Sequence, residues 1–381
     1  MESSLVASYH QRAAVRTLVF PAPLTHETQQ RILALTHASP LSARYPPSAA
    51  YSRAFLKALL NAAQHDDVAE CEELLLAYVD ALSSGSNNDG SSSPVVHNIN
   101  PYAHVTSSAA TYVSYPLCAA AGACVDNGEW ITLREATAKI SQGTTGLVTW
   151  EAALRFAEYL VHHARDRNCE SEGERNDGNG RDTAAQYPRL DIRGKRVLEL
   201  GSGPGLLGIV AARLGAAYVC LTDFDARVLS TLEENVAINF ATRIDGNGEE
   251  DFGAPAVATT PAPTVAVKTL DWDTPDPAIL ADAEILICSD CVYDPTLVPA
   301  LVRTLRAFVH DSDSGHIGRA QRRRDAWVAV TKRQQSTQDK FMRAVADAHM
   351  RITNVPLNNV PELFRHEYGL GDMGLMVLSQ L

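Results

Sequence analysis

Two kinds of hydrophobic spacing divide the chain. Between residues 51 and 82 the apolar side chains recur at helical intervals: Phe55, Leu56, Leu59 and Leu60 in one run, then Val68, Cys71, Leu74, Leu75, Tyr78, Val79 and Leu82. That period predicts amphipathic helices over 51–63 and 68–82. Ahead of the first, Pro46 and Pro47 block helix and Ser48 offers an N-cap. From about Ile131 the pattern changes. Short apolar runs at 196–200, 217–222, 264–270, 284–289 and 326–330 alternate with helical periods at 206–214, 226–240 and 296–309. Such alternation predicts right-handed crossovers and an α/β fold with a doubly wound, mostly parallel sheet. The expected organisation is a small, mainly helical N-terminal domain over 1–130 and an α/β domain over 131–381.

Four polar stretches, at 83–98, 167–181, 243–263 and 311–325, lack any packing period and are expected to be solvated insertions. Insertions of this kind cost little, since doubling a loop's length costs only about 0.6 kcal/mol. The run Arg322, Arg323, Arg324 falls in the last of them and reads as a solvated run. No internal repeat is found.

Charge and composition narrow the function class. The chain has 381 residues, 45% of them hydrophobic, and a net charge of −12. An acidic surface exerts no pull on phosphate backbones or anionic lipid, so neither nucleic acid nor membrane is an expected partner. No apolar run reaches the length of a membrane span, and the first twenty residues lack a secretory pattern. Seven scattered cysteines read as reduced thiols, which predicts a cytoplasmic protein.

The candidate chemistry lies at strand ends, where parallel sheets bind ligands. After the first strand comes Glu199-Leu200-Gly201-Ser202-Gly203-Pro204-Gly205-Leu206. Glycines there let a ligand approach the backbone, and the following helix start presents free N–H groups. Gly203, Gly205 and Gly208 also match a dinucleotide fingerprint, with Asp223 twenty residues on. An acidic residue ending the second strand would hold ribose hydroxyls, so Asp223 fits an adenosine ligand without choosing between NAD and S-adenosylmethionine. Nearby Asp225 reads as the cap of the next helix. Trp272, after the third strand, can cover an adenine face. Asp290 and Tyr293, after the fourth, point toward the same rim. Cys288 and Cys291 form a single C-x-x-C, too little for a zinc site, and no metal is expected.

Longer strings carry a resemblance. Gly143-Thr144-Thr145-Gly146-Leu147-Val148-Thr149-Trp150, with the glycine loop, Leu270-Asp271-Trp272-Asp273 and Ser289-Asp290-Cys291-Val292-Tyr293, resembles the seven-β-strand protein-lysine methyltransferases. Within them the chain is similar to the branch acting on a lysine of eukaryotic elongation factor 2. Residues 45–56 resemble the N-terminal helix of that branch, and 131–137 the strand leading into the glycine-threonine segment. The likeness covers roughly residues 44–381. It implies a seven-stranded Rossmann-like domain, S-adenosylmethionine as cofactor, and elongation factor 2 as protein partner; the N-terminal domain is expected to recognise substrate, and a monomer is expected. Residue by residue, it implies cofactor contacts at Trp150, Glu199, Gly201, Ser202, Gly203, Asp223, Trp272 and Ser289. Ser289 stands where the family usually has Ala. It implies that Asp290 orients the target amine and Tyr293 lines its channel. His366-Glu367-Tyr368-Gly369-Leu370-Gly371 departs from the family pattern. The alternatives are an NAD-dependent oxidoreductase and a non-catalytic binding module on a methyltransferase fold.

Overall fold

The computed structural model describes residues 2–66, 68–83, 110–117, 129–141, 143–170, 188–240, 263–310, 324–367 and 369–381. The four polar stretches lie largely outside these residues, as do Cys118, Cys124 and Tyr368. The chain divides into two compact units, 1–138 and 139–381.

The first unit holds helices α1 (Glu2–His10), α2 (His26–Leu35), α3 (Pro40–Arg44), α4 (Ala49–His65) and α5 (Glu72–Ser83). It also contains an antiparallel pair, β1 (Ala110–Pro116) and β2 (Trp130–Ala136), within a region whose spacing predicts mainly helix. Helix α4 begins where expected, with the Ser48 hydroxyl accepting from the Tyr51 N–H at 3.2 Å. Its apolar face, Phe55, Leu56, Leu59 and Leu60, packs against Tyr9, Leu24, Ile32 and Leu74. Helix α5 starts four residues later than the spacing predicts. The Cys71 N–H is taken by the Gln29 side chain at 2.8 Å, which fixes the chain ahead of the first turn. Its buried stripe is also rotated: Leu74 is buried and Ala77, Tyr78 and Ala81 pack beside it, while Leu75, Val79 and Leu82 are 44%, 55% and 47% exposed.

The second unit is one seven-stranded sheet. Its strands are β3 (Arg196–Leu200), β4 (Tyr218–Asp223), β5 (Thr264–Thr269), β6 (Ile285–Ser289), β7 (Asp325–Thr331), β8 (Met350–Val355) and β9 (Met373–Gln380). They lie in the order β5-β4-β3-β6-β7-β9-β8. The first five pair in parallel, and β9 runs antiparallel to both neighbours. Helices α6 (Glu151–Glu170), α7 (Leu206–Arg213), α8 (Ala226–Phe240), α9 (Pro277–Ala281), α10 (Val298–His310) and α11 (Gln335–Asp347) accompany the sheet. Strand β3 is buried on both faces, as a central parallel strand must be, with Val197, Leu198 and Leu200 fully covered. The strand order reverses between β3 and β6, which opens a crevice beyond their carboxyl ends. No helix among the described residues is long and apolar enough to cross a membrane.

Candidate active site

A cavity of about 560 Å³ opens at that crevice. Its walls include Trp150, Gly201, Ser202, Gly203, Asp223 and Trp272. Ser289, Asp290 and Tyr293 complete one side of it. Parallel topology brings these residues together. They are far apart in sequence; all but Trp150, which leads into α6, lie at or just past the carboxyl end of a sheet strand.

The glycine loop is built for close approach. Gly201 has φ +60°, and a Cβ there would fall 2.9 Å from the Cys291 sulfur. Gly203 has φ +54°, and a Cβ there would press to 3.3 Å on the Gly146 carbonyl. Both conformations suit glycine. Ser202 stitches the loop to β4: its N–H donates to the Thr222 carbonyl at 2.8 Å, and its Oγ accepts from the Thr222 N–H at 3.0 Å.

Asp223 ends β4. Its Oδ1 accepts from the N–H groups of Phe224 at 2.8 Å and Asp225 at 3.2 Å, and its Oδ2 from that of Gly203 at 3.3 Å. A carboxylate has about four acceptor sites, so Oδ2 retains one toward the cavity. Burial pushes the Asp223 carboxyl above its ordinary range, against those three backbone donors. Asp225 instead caps α8, accepting from the Arg227 N–H at 2.9 Å. The Arg227 side chain holds its carboxyl down at about 2.

Glu199 is the one implied contact that does not reach the cavity wall. It is 1% exposed, beneath the loop, and accepts from the Gly208 N–H at 3.1 Å. Burial raises its carboxyl to about 8, despite hydrogen bonds from Ser202 and Gly208. A strand residue facing into the sheet's packing layer cannot also face the rim. Glu199 therefore fastens α7 to β3.

Asp290 follows β6 with φ +52°, a left-handed conformation uncommon for a non-glycine residue. Its side chain is 7% exposed, and four donors converge on it. Oδ1 accepts from the Thr331 N–H at 2.9 Å. Oδ2 accepts from Thr331 Oγ1 at 2.9 Å, the Ala152 N–H at 3.3 Å and Arg333 Nη2 at 3.2 Å. The carboxylate thus ties β6, β7 and the start of α6 together, and Oδ2, with three donors, is fully engaged within the protein. Tyr293 is 48% exposed, and burial keeps its phenol above the usual value, with Cys291 adding and Thr145 opposing. The Trp150 indole N–H donates to the Thr145 carbonyl at 2.9 Å, which holds the 143–150 segment over the site. Cys288 is buried in the core. The Cys291 thiol, in the wall, donates to the Leu200 carbonyl at 3.3 Å, and its neighbour Cys288 and burial keep it well above a reactive pKa.

Arg333 and Phe224 also line the cavity and were not singled out from the sequence. Both sit just past strand ends, so the rim rule alone could have flagged them.

Comparison with known proteins agrees with this geometry. A sequence model of the family described as lysine methyltransferase matches residues 129–348. The protein-lysine N-methyltransferase EEF2KMT of Bos taurus is 28% identical, with 88% of this chain and 82% of that protein covered. The human protein of the same name is 28% identical over 93% of this chain and 86% of its own length. The protein-lysine N-methyltransferase EFM3 of Chaetomium thermophilum is 27% identical over 58% of this chain and 54% of its own. These matches set aside the oxidoreductase reading of the glycine spacing. With the family model covering more than half of the chain, and its sheet carrying a cavity at the strand-order reversal, this protein belongs to the lysine methyltransferase family.

Proposed function

We propose that this methyltransferase moves methyl groups from S-adenosylmethionine to a lysine of elongation factor 2 in the cytoplasm. The observation that carries the cofactor is the convergence of an acceptor, a side-chain-free loop and an indole around one cavity. Asp223 Oδ2 has an acceptor site for a ribose hydroxyl. Gly201 and Gly203 leave room against the backbone that a Cβ would fill. Trp272 lies against the loop, 3.3 Å from where a Gly201 Cβ would fall, and Trp150 lines the same cavity. Five aspartates and one arginine line the cavity, a balance that suits a cationic ligand. The elongation-factor assignment rests on the names of the relatives and on the likeness of residues 45–56. The mainly helical N-terminal part, residues 1–130, is the proposed substrate-recognition domain.

S-adenosylmethionine, when bound, supplies a methyl group whose S–C bonding pair stays on sulfur while the lysine nitrogen's lone pair forms the new N–C bond. The protein's task is to present that lone pair. A free lysine ammonium has a pKa near 10.4, so its deprotonation at neutral pH costs roughly 4–5 kcal/mol. Desolvation between Tyr293 and Trp150 lowers that cost. Positioning of the two partners contributes on the order of 7–11 kcal/mol to lowering the barrier. Asp290 orients the amine indirectly, by holding the rim in shape, since its oxygens already have donors. No general base is assigned, and the proton released from the methylated nitrogen passes to water.

The test is incubation with methyl-labelled S-adenosylmethionine and purified, unmethylated elongation factor 2, followed by mass spectrometry. Label on one lysine is expected. No label on intact factor overturns the substrate, and no calorimetric affinity for S-adenosylhomocysteine overturns the cofactor.

A further inference from the structure

Arg333 carries the one full positive charge among the described residues that line the cavity. The others with charge are Asp223, Asp225, Asp271, Asp273 and Asp290. Such a lining favours a charged amine, yet transfer to lysine needs a neutral one. Two features of this rim are natural traps for an ammonium: the Asp290 carboxylate and the open face of Trp150. Arg333 sits on both. Its Nη2 is 3.2 Å from Asp290 Oδ2, and its guanidinium carbon lies 4.5 Å from the centre of the Trp150 ring.

We infer that Arg333 is a positioning residue that keeps the incoming lysine uncharged, by neutralising Asp290 and occupying the aromatic face that would otherwise hold the ammonium. The inference rests on the methyl-transfer reading above and deepens it.

The surrounding charges fit this division of labour. Asp223 ends β4 and Asp225 follows it, and Asp271 and Asp273 follow β5, at the far side of the sheet order from β7. Arg303 pairs with Asp273 at 2.7 Å, and Arg227 pairs with Asp225. Just past β6, Asp290, Cys291 and Tyr293 face the cavity; Cys288 and burial keep the proton on Cys291, and burial with Cys291 keeps it on Tyr293. From the 139–150 segment, Lys139 Nζ lies 5.8 Å from the Trp150 ring centre and pairs with Glu367. At the start of α6, Glu151 is engaged by His366. Asp290 is thus the carboxylate nearest the proposed amine channel, and Arg333 is its ion-pair partner. A cation beside an amine lowers the amine's pKa, and removing it from a carboxylate raises the pKa of any amine nearby.

The test compares wild type, Arg333→Met and Arg333→Lys in single-turnover methylation of purified elongation factor 2 between pH 6 and 10, with calorimetric binding of S-adenosylhomocysteine alongside. For Arg333→Met the rate profile is expected to move about one unit alkaline, which is about tenfold slower at neutral pH and convergence with wild type at high pH. Arg333→Lys keeps the charge but loses the stacked guanidinium and is expected to shift less than half as far, and S-adenosylhomocysteine affinity to stay within about twofold in both variants. A loss equal at every pH overturns the inference and leaves Arg333 a structural role. An unshifted profile with weakened S-adenosylhomocysteine overturns it in favour of a cofactor anchor. Absence of transfer by wild type overturns the elongation-factor substrate, and the inference stated for that reaction with it; the two preceding outcomes both require wild-type turnover, so the failures are distinct.

Discussion

His366 offers a direct measure of how the C-terminal segment is fastened to the catalytic unit. Its Nδ1 lies 2.9 Å from Glu151 Oε2 and its Nε2 lies 3.0 Å from Glu158 Oε1. Glu158 also accepts from the N–H groups of Leu363 and Phe364 at 2.8 Å and pairs with Arg155 at 2.8 Å. Burial by itself would lower the imidazole pKa, but the two carboxylates outweigh it and raise the value from 6.5 to about 9. A shift of that size corresponds to about 3 kcal/mol of stability. The folded value lies above the unfolded one, so this stability is fully present below 6.5 and is lost as pH rises through about 9. In His366→Gln the segment loses its cation, and the stability difference from wild type should shrink by about 2 kcal/mol between neutral pH and about pH 9. Urea unfolding of both proteins across that range, scored as the difference between them, cancels titrations elsewhere. Parallel curves would refute the reasoning, because they would show that the imidazole is not held charged between its two carboxylates.

Glu199→Gln should stabilise the protein at neutral pH by up to about 3 kcal/mol, since the native carboxyl titrates near 8 rather than 4.5 and burial opposes its charge. The gain should disappear below 4.5, where both forms are neutral, and equilibrium unfolding at the two pH values checks it. Asp223→Asn should weaken S-adenosylhomocysteine binding by about 10–100-fold, the worth of a hydrogen bond to a charged acceptor, as measured by calorimetry. Gly201→Ala should lower the melting temperature and reduce that binding too, at a cost of about 1–3 kcal/mol for the left-handed backbone and the Cys291 contact.

Much of the fold is legible from spacing. Strands β3 to β7 fall within two residues of the apolar runs that predict them; for the central β3, β4, β6 and β7 this is because a strand buried on both faces must be continuously apolar, while β5 lies at the sheet edge and is only part-covered. Helix α8 spans Ala226–Phe240 as its period predicts, with Asp225 as its cap. The site residues Gly201, Asp223, Trp272, Asp290 and Tyr293 could be grouped before any coordinates, since parallel strands deliver their carboxyl ends to one rim. The misplacements are also physical. Helix α5 has two candidate apolar stripes, and the Gln29 contact to Cys71, together with packing against α4, selects one of them. Strands β8 and β9 were not read from local pattern. Their place beside β7 depends on long-range pairing, to which a local pattern is blind.

Local periodicity and the steric freedom of glycine are enough to specify a parallel sheet with a glycine-rich turn and acidic residues at its strand ends. What each charge does is set by packing between distant segments. Glu199 and Asp223 are both acidic residues of adjacent strands, yet one is sealed beneath the loop and the other reaches the cavity. Asp290 has the place of a reactive carboxylate, yet Thr331, Ala152 and Arg333 surround it. A carboxylate's chemistry is set by its solvation and its donors, and those come from residues distant along the chain.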